Sequence, residues 1–371
     1  MKKFLGSILA GAILCAPLCA DEVKAGVVMP LSGSLAGFGQ AGYRGLEIMQ
    51  SLVPQNAKGD SLKLIVLDNK SEKIESANAI RKLTATDKVS VVFGPLITTN
   101  TLAMIKTVED SKTPLIPAVA TGDRVTKGKK FVTRIAFADS FQGTAGATFS
   151  YTELGAKRAA ILFDSSSDYS IGLTHAFEKQ FSKLGGKVVI KSEFKAGNKD
   201  FKAQLSSIKS ANPDVLFIPI YYNEAALIMV QYKQLGLSMP VVGGDGVAGS
   251  DVFFDVAKDA GEGVIVTDYY STNSEQTELG KKFIKAYEEK YKESVSSFSI
   301  MFADAYLLVL KALETCNKED RVCLNDKIRN QTSFEGVSGV FSLKDGESLR
   351  NAVFNEVKNG KLVYKTTLTT P

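Results

Sequence analysis

One histidine, His175, is all that the 371 residues contain. A chain so poor in imidazole has almost nothing from which to build a Ser-His-Asp triad or a multi-histidine metal centre. His175 itself falls in a helical pattern with acidic and basic neighbours, Gly172 to Phe181, and reads as a surface or half-buried helix residue. No Walker-type or dinucleotide-type glycine loop follows a strand, so nucleotide chemistry is unsupported. After the first twenty residues no second long apolar run occurs. The 45 basic and 40 acidic side chains nearly cancel, which argues against nucleic acid or a membrane surface as partner.

The start of the chain is distinctive. Lys2 and Lys3 precede an apolar run from Phe4 to Leu14, and Leu18-Cys19-Ala20 offers a small residue before Asp21-Glu22. This pattern predicts a cleavable secretory signal over residues 1–20. The run falls short of the roughly 20 apolar residues that span a bilayer. Acylation at Cys15 or Cys19 is the alternative, disfavoured by bulky Leu14 and Leu18 before them. Losing Lys2 and Lys3 leaves a surplus of three basic residues. It also leaves Cys316 and Cys323, seven positions apart, in an oxidising compartment. A local disulfide is the natural reading and two free thiols the alternative, while a zinc site lacks a CxxC pair or a nearby histidine.

About 350 mature residues exceed what one core usually organises, so two domains are expected. Short β-branched runs alternate with amphipathic helical patterns from Val23 onward, the mark of parallel sheets covered by helices. Strands are predicted at Lys24–Met29, Leu62–Leu67, Val89–Phe93 and Pro114–Pro117, with helices between them. A second series has strands at Ala159–Phe163, Val188–Ser192, Val215–Ile218, Val241–Val242 and Gly263–Val266. Residues 275–330 read as helical, and strands at Val337–Phe341, Asn351–Val357 and Lys361–Thr367 follow. The late helical block has no strand partner nearby and is expected to pack back on the first unit. The fold class is α/β, two doubly wound units in tandem.

In open α/β sheets ligands sit beyond the carboxyl ends of strands, and five such loops hold polar or aromatic residues that a core does not need. They are Met29 to Gly39 with Phe38, Gly94 to Thr101 with Thr98 and Thr99, Ala118 to Asp123 with Ala120 and Thr121, Asp164 to Ser170 with Tyr169, and Gly243 to Gly249 with Asp245. Each has an ordinary structural reading: a packed Phe38, a helix cap at Thr98 or Thr99, a turn-forming Asp245.

Taken together, Met29-Pro-Leu-Ser-Gly with Phe38-Gly39, Gly94-Pro95, Tyr169 with Gly172, Pro213-Asp214, Gly243-Gly-Asp-Gly and Phe298 before a helix resemble the leucine/isoleucine/valine-binding proteins of ABC importers. The resemblance spans the mature chain. It implies a type I periplasmic-binding fold, two Rossmann-like lobes joined by three crossovers, here 21–139 with 268–342 and 140–267 with 343–371. It implies a periplasmic, monomeric, non-enzymatic receptor without cofactor that closes over an amino acid and delivers it to a membrane permease. Thr98 stands at the family's hydroxyl for the ligand carboxylate, with Thr99 as an additional donor. Ala120 and Thr121 stand where backbone and hydroxyl hold the head group, Asp245 at the acidic partner of the ammonium, and Tyr221 at a neighbouring tyrosine. Phe38, Tyr169 and Phe298 would wall an aliphatic side chain. Two departures stand out: Asp245 where the family often has Glu, and Phe38 where it often has Tyr. A receptor for an amide, urea or aromatic acid, or a chemotaxis accessory, is the rival reading.

Overall fold

A computed structural model describes residues 21–271 and 276–369. The expected signal at 1–20, with Cys15 and Cys19, lies outside the described residues. β1 (Glu22–Met29), β2 (Ser61–Asp68), β3 (Val91–Phe93) and β4 (Leu115–Ile116) form a parallel sheet in the order β2-β1-β3-β4. β1 lies in its interior, and Val27, Val28 and Met29 are buried, as a strand covered on both faces requires. Helices α1 (Ala36–Leu52), α2 (Lys73–Arg81, extended by a π turn to Thr86) and α3 (Thr98–Ser111) connect the strands.

After α4 (Asp123–Thr126), a second sheet is built on α5 (Asp139–Thr152), β5 (Arg158–Asp164), α6 (Asp168–Lys183), β6 (Lys187–Phe194), α7 (Lys202–Ala211), β7 (Val215–Ile218), α8 (Tyr222–Gln234), β8 (Val241–Gly243), α9 (Val252–Ala257) and β9 (Ile265–Asp268). The chain then returns to the first unit as α10 (Glu278–Tyr291), α11 (Ser297–Leu313) and α12 (Arg321–Arg329). α11 is buried around almost its whole circumference, which suits its run of Phe, Ile, Met, Ala and Leu. It lies against α1, where Ser299 Oγ donates to the Ala41 carbonyl at 2.8 Å. Gly45 permits that approach, because a Cβ there would meet the Ser299 backbone. The late helical block thus packs where expected.

β10 (Gln331–Gly336), β11 (Gly339–Lys344) and β12 (Glu347–Leu349) make a small antiparallel sheet. β13 (Ala352–Lys358) then adds antiparallel to β9 and β14 (Lys361–Leu368) antiparallel to β13, completing the order β14-β13-β9-β8-β7-β5-β6. The chain therefore passes between the two large units three times: before α5, after β9 and between β12 and β13. Cys316 and Cys323 are joined in a disulfide with Cα atoms 5.7 Å apart, and Asp320 caps α12 by accepting from the Cys323 N–H at 2.9 Å. His175 is exposed on α6.

Candidate ligand-binding site

Strand-end loops of both units converge on one small cavity. The first unit contributes Leu96, Ile97, Thr98, Val119 and Thr121, the second Tyr169, Tyr221 and Asp245, and Phe38 with Phe298 complete the wall. Its volume is about 10 Å³, room for about one water. Anything larger requires the walls to part. The aromatic side is tightly built: Phe38 lies 4.7 Å from Phe298 and 5.7 Å from Tyr221, and Tyr221 stacks on Tyr169 at 4.9 Å.

Asp245 is the polar centre. Its Oδ1 accepts from Gln142 Nε2 at 2.7 Å and the Tyr169 hydroxyl at 2.9 Å, and its Oδ2 accepts from the Tyr269 hydroxyl. A carboxylate offers about four lone-pair positions, so three donors leave Oδ2 with one. Burial raises the Asp245 pKa, and bonds from Tyr269, Gln142 and Tyr169 oppose that rise. Burial and the Asp245 charge push Tyr169 and Tyr269 well above the usual phenol range, so both remain neutral donors. A second buried carboxyl, Asp139, begins α5, and neither of its oxygens has a hydrogen-bond partner among the described residues. Burial raises its pKa well above the usual value, and the Asp245 charge reinforces the rise. Asp139, Gln142 and Tyr269 were not singled out from sequence; Tyr269-Tyr270 at the end of β9 was the available signal.

The opposite wall is made of donors. Thr98 Oγ1 accepts from the Gly122 N–H at 3.1 Å, and Thr121 adds a hydroxyl to the cavity lining. Neither Thr98 nor Thr99 caps α3: Ile97 occupies the cap position and no side chain bonds the first turn. Two of the expected contact residues stand away from the cavity. Thr99 Oγ1 donates instead to Asp168 Oδ2 at 3.0 Å. The Ala120 side chain packs in the hydrophobic cluster with Leu115 and Val125, and its carbonyl turns toward Arg134. The other expected positions, Phe38, Thr98, Thr121, Tyr169, Tyr221, Asp245 and Phe298, share the cavity.

A larger cavity of about 540 Å³ lies between α1, α10 and the β13–β14 hairpin. Carboxyl groups prevail in its lining, Asp251, Asp255, Asp268, Glu288 and Glu293 against Arg44 and Lys361. Its acidic groups outnumber its cations, whereas the small cavity sets the Thr98 and Thr121 hydroxyls across from the single carboxyl group of Asp245, and that pairing marks the small one as the candidate site.

A family model for periplasmic binding proteins matches residues 22–361, and the chain belongs to that family. The leucine-, isoleucine-, valine-, threonine- and alanine-binding protein of Pseudomonas aeruginosa is 26% identical over 340 residues, 91% of this chain and 90% of its own. The crystal structure of a leucine binding protein, LivK, from Thermotoga maritima is similar with a TM-score of 0.90 at 35% identity, covering 94% of this chain and 99% of that one. That of the branched-chain amino acid transporter substrate binding protein LivJ from Streptococcus pneumoniae, in complex with isoleucine, gives 0.87 at 31% identity over 94% and 99%.

Proposed function

We propose that this member of the periplasmic binding protein family captures a branched-chain amino acid, leucine, isoleucine or valine, between its lobes and presents it to the membrane permease of an ABC importer. The observation that carries the reading is the facing of Asp245 and the Thr98–Thr121 donors across an aromatic-walled cavity. The ligand ammonium takes the free position on Asp245 Oδ2, its carboxylate the hydroxyls of Thr98 and Thr121, and its side chain the faces of Phe38, Tyr169 and Phe298. In so dry a cleft the ammonium–carboxylate attraction is far stronger than in water, and it offsets the desolvation of both charges. The protein acts as a receptor, not a catalyst, and works in the periplasm after removal of residues 1–20.

In this reading the lobes comprise residues 21–138 with 278–349, and 139–268 with 352–369. The third crossover falls at 350–351 rather than 342/343, because β12 pairs with β11. Closure is a hinge rotation, driven by contacts that the ligand makes only when both lobes meet.

A thermal-shift screen of the twenty amino acids, simple amides and aromatic acids tests the reading, since a specific ligand raises apparent stability by mass action. Leucine, isoleucine or valine is expected to give the largest rise. A rise with benzoate or an amide and none with any aliphatic amino acid would reject it.

A further inference from the structure

We propose that Arg134 is a positioning residue for the ligand carboxylate, holding the carbonyls of residues 120–122 so that the amides of Thr121, Gly122 and Asp123 turn the other way, toward the cleft, and that Glu347 locks it in place. The proposal rests on the reading of the cavity as an amino-acid site. Arg134 has no exposed surface. Its Nη1 donates to the carbonyls of Thr121 at 2.7 Å, Gly122 at 2.9 Å and Ala120 at 3.5 Å, and its Nη2 donates to the Glu347 carboxylate. Glu347 also accepts from the Thr126 hydroxyl, at the far end of the same segment. The Arg134 backbone is fixed too, its N–H donating to the Gly346 carbonyl at 2.9 Å.

Successive carbonyls in extended chain point to opposite sides, so three consecutive ones converging on a single nitrogen describe a different backbone. Their dipoles repel one another, and the buried cation offsets that repulsion together with the Asp139 N–H on the Thr121 carbonyl at 2.8 Å and the Val125 N–H on the Gly122 carbonyl at 3.0 Å. Each trans peptide sets its N–H opposite its C=O. The amides of Thr121, Gly122 and Asp123 therefore turn away from the guanidinium. Two observations place that side at the cavity. The Gly122 N–H meets Thr98 Oγ1 at 3.1 Å, and both Thr98 and Thr121 line the cavity. The Thr121 N–H has no acceptor among the described residues. A row of like-directed amides with positive charge behind it is a concavity for an anion. Gly122 is required at its centre, because a Cβ would collide with the Thr98 side chain. Burying a guanidinium costs several kcal/mol unless it is well bonded. Glu347, whose side chain is 38% exposed, offsets only part of that cost, so the Thr121 and Gly122 carbonyls, which take the two Nη1 hydrogens, are integral to keeping Arg134 inside.

Loss of the guanidinium fork should therefore weaken recognition of a carboxylate more than recognition of an amine or an alkyl chain. Calorimetric titration of the wild type, Arg134→Lys and Glu347→Gln with L-leucine, and by displacement with L-leucinamide, separates these. The wild type is expected to prefer leucine. Arg134→Lys should lower leucine affinity tenfold or more while changing leucinamide less than threefold, and Glu347→Gln should lower the leucine-to-leucinamide ratio at least threefold. A ratio within threefold of wild type in every variant that retains the native circular dichroism spectrum would overturn the proposal. Should Arg134→Lys not fold, the half-exposed Glu347→Gln decides alone. Wild-type protein that fails to bind leucine at all would instead reject the amino-acid reading on which the proposal stands.

Discussion

The hydroxyl of Thr99 donates to the carboxylate of Asp168 at 3.0 Å, tying the first turn of α3 to the first turn of α6 across the cleft. On another rim the Tyr222 hydroxyl donates to the Ser34 carbonyl and accepts from the Gly37 N–H, both at 3.2 Å. Neither Thr99 nor Tyr222 lines the cavity. Both contacts join residues on opposite sides of the cleft, so they are expected to add to closure whatever the ligand side chain is.

Removing these two latches, with Thr99→Val and Tyr222→Phe combined, takes away three hydrogen bonds and should weaken amino-acid binding by about 1.5 to 4.5 kcal/mol, since each is worth about 0.5 to 1.5. Stopped-flow measurement is expected to find the loss in a faster off-rate. An unchanged off-rate would show that the latches contribute nothing to closure.

Asp245→Ala should cost about 2 to 5 kcal/mol of affinity for a zwitterion, the range for truncating one member of a buried charge pair. Calorimetry is the check. Tyr269→Phe, which removes one of three donors but keeps the carboxylate, should cost less.

Asp268, at the second crossover, is pushed by burial from 3.8 to about 7. An acid whose folded pKa is raised binds its proton more tightly folded than unfolded. Its contribution to stability therefore falls as pH rises from about 4 to about 7, and the penalty is complete above that. Asp268→Asn lacks the penalty, so its melting temperature relative to wild type should rise by a few degrees between pH 5 and pH 8. A difference that is flat across that window would show that Asp268 ionises freely.

Mass spectrometry of unreduced protein should find Cys316 joined to Cys323. Replacing both by serine should destabilise the fold by about 2 to 3 kcal/mol, the chain-entropy cost for so short a loop, as read by urea denaturation.

The strand-end loops were legible because β-branched runs give way abruptly to glycine, proline and serine there, and Asp245 stood out between Gly244 and Gly246. The donors around it were not legible. Gln142 reaches Asp245 across 103 positions and Tyr269 across 24, and no local pattern announces such partners. Thr98 and Thr99 show the limit at close range. Consecutive helical residues point about 100° apart, so one faces the cavity and its neighbour the rim. Ala120 lies between Val119 and Thr121, which line the cavity, and its own side chain enters the core instead. β10 escaped notice because only Phe334 and Gly336 of its six residues are buried, too few to set up a strand alternation.

The passage from β12 to β13 comprises residues 350 and 351 alone. Arg350 is held there by Ser348 and Ser338 and stacks 4.3 Å over Phe341. Three chain steps separate Leu349 from Ala352, a tether of at most about 11 Å. As the cleft gapes, a strap this short keeps the two halves together at that point. A door-like swing is the motion such a strap suits, with displacement growing with distance from it.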